Sequence, residues 1–189
     1  MTDLELLSDK ELFDLLHSPD KAVRERVFTM IYSKFGPRIR EYCLRSFSFD
    51  NLGEDAFQDT MVRFYETIDE YEEITNIPAF LIKIARNLIL NIKRRDKFVE
   101  YSSENIENNA YYEESDSESL DDNELFLQKK IAIAMKQLSS DLREPLQLKL
   151  YAELSYEEIA EELGTTVPSI RNRIMRAKMK LRIFLTPYI

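Results

Sequence analysis

The sequence predicts an all-α protein made of two small helical domains joined by a flexible acidic linker. Three observations lead there. Only three glycines occur in 189 residues, while Leu, Ile, Glu and Lys are abundant, so good helix formers dominate. Apolar residues recur at helical spacing over most of the chain. One stretch breaks that period: residues 100–124 hold ten acidic side chains and no Lys or Arg. A segment so charged, and rich in Ser, Asn and Tyr, buries too little apolar surface to order itself. The chain therefore divides into a first domain at 1–99, a linker at 100–123 and a second domain at 124–189.

The elements follow in order. Ser8 with Glu11 caps a first helix that carries Leu12, Phe13, Leu15 and Leu16. Ser18-Pro19 opens the second, with Val23, Val27, Met30 and Ile31 inward, and Gly36-Pro37 marks a break or kink before a helix through Tyr42 and Leu44. A fourth helix spans about Gly53 to Ile68, with Phe57, Met61, Phe64, Tyr65 and Ile68 as its core stripe. On its far side Asp55, Asp59, Val62 and Glu66 line up, with Gln58 beside them. Such a ridge is either a solvated face or a docking surface for a basic partner. After the loop from Asp69 to Asn76, a long helix starts at Asn76 and Pro78 and reaches about Lys97. Phe80, Leu81, Ile84, Ala85, Leu88 and Ile92 pack it, and Lys83, Arg86, Asn87, Lys93, Arg94 and Lys97 share about a third of its circumference. A basic face of that length suits a duplex phosphate backbone.

Beyond the linker, Leu127, Ile131, Ala134, Met135 and Leu138 make one amphipathic helix. Asp141 with Glu144 caps another, containing Leu146, Leu148 and Leu150. The last segment reads as a helix-turn-helix. Ser155 and Glu158 form a capping box, Ile159, Ala160 and Leu163 face inward, and Gly164 supplies the positive φ that ends the helix. Thr166 caps the next helix, with Pro168 in its first turn. Ile170, Ile174, Ala177 and Leu181 face the core of that helix, which leaves Arg171, Asn172, Met175, Arg176, Met179 and Arg182 outward. From Thr165 to Ile189 there are six Lys or Arg and no acid. A solvated helix usually mixes signs; a capped, acid-free helix after a short Gly turn fits a DNA major groove.

The net charge of −9 at first argues against a nucleic-acid partner. Ten of the acids lie in residues 100–124, and without them the rest of the chain is close to neutral, so the DNA-suited faces stay basic. No apolar run approaches the roughly 20 residues needed to span a bilayer, and the acidic start Met1-Thr2-Asp3-Leu4-Glu5 lacks a signal peptide's basic and apolar regions. Membrane insertion is not expected. The lone Cys43 fits a reducing cytoplasm and a buried, small apolar role. There is no Gly-rich phosphate loop, no Cys/His cluster and no Ser/His/Asp grouping, and His17 falls at a helix end. No cofactor, metal or enzymatic activity is expected.

Two basic helices on separate domains, joined by an acidic tether, resemble bacterial RNA polymerase sigma factors of the extracytoplasmic-function type. Three segments carry the likeness. Asp55-Ala56-Phe57-Gln58-Asp59-Thr60-Met61-Val62-Arg63-Phe64-Tyr65 looks like the polymerase-binding helix of region two. Ile77-Pro78-Ala79-Phe80-Leu81-Ile82-Lys83-Ile84-Ala85-Arg86-Asn87-Leu88 looks like the promoter-opening helix, and the C-terminal motif looks like region four. The resemblance implies a factor that binds core polymerase, reads promoter DNA with both domains and helps melt it. Asp55, Gln58 and Asp59 would grip the core enzyme. Tyr71, Asn76, Phe80, Lys83, Arg86, Asn87 and Arg94 would take the minus-ten element, including a base flipped from the melted strand. Arg171 and Arg176 suit guanine edges, Asn172 adenine and Met175 a thymine methyl in the minus-thirty-five element, with Lys149 also reaching DNA. Arg173, Lys178 and Lys180 are assigned to phosphates or solvent. The linker would thread toward the RNA exit path. The implied partners are core polymerase, duplex and melted promoter DNA, and an anti-sigma factor of the kind such proteins often have. Read without the resemblance, the same features also admit a free-standing DNA-binding regulator or an acidic helical adaptor.

Overall fold

The first helix, α1 (Asp9–Leu16), begins where the sequence punctuates it: Ser8 and Glu11 close a capping box. The chain was described by a computed structural model covering residues 7–47, 51–102 and 122–188. Among these residues the regular structure is all helix, joined by short loops, with no strand. Helix α2 spans Lys21–Ser46 and is capped by the Asp20 carboxylate, which accepts from the Ala22 N–H. Helix α3 covers Asn51–Thr67 and ends in a 3₁₀ turn at Ile68–Glu70. Helix α4 covers Ile77–Ser102. These four pack around one core that includes Phe13, Ile31, Phe64 and Leu81, each fully buried.

Helices α5 (Asp122–Lys136), α6 (Ser140–Leu150), α7 (Tyr156–Glu162) and α8 (Val167–Leu185) form the second bundle, with α8 packed against the other three. Its core includes Leu142, Leu146, Ile159 and Ile170. Most of the expected linker lies outside the described residues. The flanking helices run slightly past their expected limits, to Ser102 on one side and from Asp122 on the other.

Several expectations change. No break occurs at Gly36-Pro37: α2 is one helix with Pro37 inside it. Proline removes the N–H that would bond the Ser33 carbonyl, but Ser33 is solvent-exposed, so water can take its place. Phe35 and Ile39 on either side are buried, and that packing holds the helix together. Tyr65, expected in the α3 core stripe, is half-exposed and sits edge-on to Phe28, with ring centroids 5.4 Å apart. The α4 stripe is broader than expected and centres on Ile82, Ala85 and Ile89, because this helix packs on α1, α2 and α3 at once. Ser139, not Asp141, occupies the N-cap position of α6, with Asp141 in its first turn. Leu150, at the end of α6, is exposed.

Candidate nucleic-acid interface

The helix-turn-helix forms from its own punctuation. The Ser155 hydroxyl accepts from the Glu158 N–H at 3.1 Å, and the Glu158 carboxylate accepts from the Ser155 N–H at 2.6 Å. Gly164 takes φ +58. Its N–H donates to the Glu161 carbonyl, and the Thr165 N–H donates to Ala160 at 2.9 Å. These two bonds make a Schellman motif that stops α7 and turns the chain. Thr166 then caps α8 through the Ser169 N–H. Ile170, Ile174 and Ala177 are buried against the bundle, so the opposite face is fixed outward.

That outward face holds Arg171, Asn172, Met175 and Arg176, all exposed. Tyr156, at the start of α7, joins them to Lys149 at the end of α6. The Lys149 Nζ lies 5.1 Å from the Tyr156 ring centroid and donates to the Leu154 carbonyl at 2.9 Å. The Arg171 guanidinium lies 5.4 Å from the same ring, and Glu157 sits 4.0 Å from it. A single aromatic ring thus positions two of the expected DNA-contacting cations. The sequence analysis assigns Tyr156 no role at this surface.

On the first domain, the far side of α3 presents Asp55, Gln58, Asp59 and Glu66 to solvent beside the exposed apolar groups Val62 and Tyr65. The ridge is amphipathic: Val62 lies on it as the helical period indicates, and Tyr65, expected in the core stripe, joins it.

Around the start of α4, Phe80 is wedged between Tyr71 (centroids 4.7 Å) and Phe64 (6.2 Å), edge-on to both. Beside this aromatic step lies an open cavity of about 410 Å³. Tyr71, Phe80, Asn87 and Arg94 line it, together with Arg63, Thr67 and Asn91, which sequence reading did not single out. Asn91 follows Asn87 by one helical turn and shares its face. Lys83 is exposed on the same side of α4. The loop leading in is less acidic in effect than in sequence, because Lys10 pairs with Glu73 at 2.5 Å.

Two of the expected minus-ten residues are engaged elsewhere. The Asn76 side-chain Oδ1 caps α4 by accepting from the Ala79 N–H at 2.9 Å, and the side-chain amide nitrogen donates to Glu158 of the second domain. Arg86 is largely buried. It donates to Glu144 of α6 at 2.8 Å and to Glu162 of α7 at 3.2 Å. Burial disfavours its charge, but the two carboxylates outweigh that effect and raise its pKa. Between the domains, a second cavity of about 610 Å³ is lined by Arg45, Arg86, Lys93, Arg94, Lys136 and Arg143, among others.

Among the described residues no group of side chains has the make-up to hold a metal ion, and no helix is long and apolar enough to cross a membrane. Phe13 and Ile68 carbonyls flank the His17 ring nitrogens at 3.2 Å each, and His17 is the C-cap of α1, at the helix end.

Comparison with known proteins gives the arrangement a context. Residues 31–99 match the family model described as Sigma-70 region 2, and residues 129–181 match Sigma-70, region 4. The chain is 31% identical to the RNA polymerase sigma-H factor of Bacillus licheniformis, over 95% of this chain and 87% of that protein. It is 27% identical to the ECF RNA polymerase sigma factor EcfG of Rhodopseudomonas palustris, over 79% of this chain and 80% of the other. Its fold superposes with TM-score 0.68 on the sigma factor RpoE of Bartonella quintana, solved in complex with the anti-sigma factor NepR. That match has 26% identity and covers 84% of this chain and 96% of that one.

Proposed function

The chain belongs to the sigma-70 family of RNA polymerase sigma factors, with relatives of the extracytoplasmic-function type, and on that premise we propose how it divides a promoter between its two domains. Residues 1–99 form the domain that docks on core polymerase and takes the minus-ten element. Residues 124–189 form the domain that reads the minus-thirty-five element, and residues 100–123 tether them. The factor acts in the cytoplasm and performs no catalysis of its own; the chemistry of RNA synthesis stays with the core enzyme.

The observation that carries the minus-ten assignment is the 410 Å³ cavity on which Tyr71, Phe80, Asn87 and Arg94 converge. Its size and its aromatic wall suit a nucleobase swung out of the stack, the amide suits a base edge, and the guanidinium suits the adjoining phosphate. Lys83, Arg86 and Asn76 extend this surface along the backbone. On the second domain, Arg171 and Arg176 read guanine, Asn172 reads adenine, Met175 meets a thymine methyl, and Lys149 holds a phosphate. The ridge of Asp55, Gln58 and Asp59 docks on a basic, partly apolar element of core polymerase, with Val62 and Tyr65 supplying the apolar part. An anti-sigma factor is a further partner, as in the complex of the RpoE relative.

Run-off transcription with purified core polymerase tests the reading. Addition of the protein should produce new promoter-dependent transcripts. Sequence-specific DNA binding by the protein alone, without transcription, would point to a free-standing regulator instead. Arg176→Ala should lose about 1–3 kcal/mol of base discrimination at one minus-thirty-five position. Promoter selection with the reconstituted holoenzyme measures this, and an unchanged selected sequence would remove Arg176 from the base-reading set.

A further inference from the structure

Arg86 shares the basic face of α4 with Lys83 and Arg94, yet those two are exposed and Arg86 has only 19% of its side chain exposed. What covers it is the other domain. Glu144 and Glu162 come from different helices, lie 58 and 76 residues further along the chain, and converge on one guanidinium. Both are themselves sheltered, at 31% and 15% exposure. Four more polar contacts cross the same boundary. The Asn76 amide donates to Glu158. Arg38 donates to the Ala152 carbonyl and lies 3.8 Å from Glu153. The Gln147 amide donates to the Arg45 carbonyl at 3.3 Å.

Two carboxylates flanking one guanidinium present the same oxygen acceptors and the same charge as a phosphate diester with its neighbour. They occupy a cation that the proposed function places on promoter DNA. Next to this contact, the 610 Å³ cavity leaves the domains incompletely packed against each other. Buried apolar side chains of the two bundles meet in one cluster, but an ion-paired boundary with a gap beside it resembles interfaces that open and close.

We propose that Glu144 and Glu162 form an internal phosphate mimic that latches the second domain over the minus-ten surface, so that the closed molecule and DNA contact by Arg86 exclude each other. Promoter phosphates are then the competing ligand that completes opening. Glu158, by holding Asn76, strengthens the latch at the N-terminus of α4. The competition arm rests on the minus-ten reading of Arg86; the closure arm does not.

The experiment uses the full chain. Small-angle X-ray scattering at low salt should show a larger radius of gyration for Glu144→Gln/Glu162→Gln than for the unaltered protein. The unaltered protein should approach the same size at high salt, where ion pairs are screened. An unchanged radius in the double variant overturns the latch. Circular dichroism establishes that the helices persist. Arg86→Glu should likewise open the molecule, and adding Glu144→Arg, which restores opposite charges, should close it again; failure to close also overturns the latch. For competition, a labelled oligonucleotide carrying the selected minus-ten sequence should bind the free Glu144→Gln/Glu162→Gln protein about fivefold or more tightly than the unaltered one. Opening with no gain in affinity overturns the competition. If Arg86→Ala leaves promoter affinity of the holoenzyme unchanged, the DNA assignment of Arg86 fails on its own, whatever the scattering shows.

Discussion

Cys43 carries the only thiol in the chain and lies wholly inside the first domain. Burial pushes its pKa up to about 12, against a smaller opposing effect from a hydrogen bond with Thr60. The nucleophilic thiolate is therefore nearly absent at neutral pH. A thiol reagent at pH 7 is expected to label Cys43 only as fast as the domain unfolds, with labelling rates tracking denaturant. Rapid labelling of the native protein would contradict the closed packing of α2 and α3. Single residues were legible in the sequence wherever a helical period fixed their direction. The outward set of Arg171, Asn172, Met175 and Arg176 is of this kind, since Ile170, Ile174 and Ala177 decide it within two turns. Arg86 was not legible in the same way. Its period placed it on the correct face, but the partners that cover it come from helices 58 and 76 residues away. Tyr156 escaped notice because its neighbours Lys149 and Arg171 are brought to it by the turn geometry, not by spacing along one helix.

At the scale of the element, helix ends were the most readable features and helix contacts the least. The capping boxes at Ser8 and Ser155 and the cap at Thr166 form as the sequence indicates, because each needs only a few consecutive residues. Gly53 shows the opposite case. It sits where α3 crosses α2, and a Cβ there would lie 2.8 Å from the Leu44 Cα and 3.2 Å from the Cys43 carbonyl. Both are backbone atoms that cannot swing aside. Gly53→Ala should destabilise the first domain by about 1–3 kcal/mol despite the better helix propensity of alanine. Urea denaturation measures it, and a stabilised variant would mean that α2 and α3 do not approach so closely. The start of α7 gives a pH-dependent prediction. Burial tends to raise the Glu158 pKa, but hydrogen bonds from the Ser155 N–H and hydroxyl and the Asn76 amide, with the Arg38 charge, bring it below the ordinary 4.5. A carboxyl held low in the folded state contributes stability above its unfolded pKa and loses it as pH falls through the folded one. The melting advantage of the unaltered protein over Glu158→Gln should therefore be constant near neutrality and shrink as pH drops below about 5. Thermal melts at a series of pH values test this; a gap that persists at the acid end would remove the ionised carboxylate from the cap.

For the whole molecule, composition gave the class and charge distribution gave the division into domains, since both are sums that tolerate local errors. How the domains lie on each other was not readable, because it rests on apolar packing and polar links between residues distant in sequence, Arg38 with Ala152 and Asn76 with Glu158 among them. The separation of roles also belongs at this scale. Asp59→Ala should weaken binding of the full chain to core polymerase several-fold, on the order of 1 kcal/mol or more for a residue central to an interface. It should leave minus-thirty-five binding by the full chain untouched, because Asp59 lies on the other bundle. Pull-down with core and gel shifts with duplex DNA separate the two effects, and equal losses in both would deny the ridge a docking role. The same large-scale view bears on α8, where six cations and no acid share one helix and the turn leading from it. Like charges one turn apart repel each other, and Arg171 stands close to a helix N-terminus that already favours anions. While the groove is empty, the helix carries that internal tension. A neighbouring row of phosphates relaxes it, so part of the drive toward DNA originates inside the protein, as released self-repulsion, before any base edge is touched.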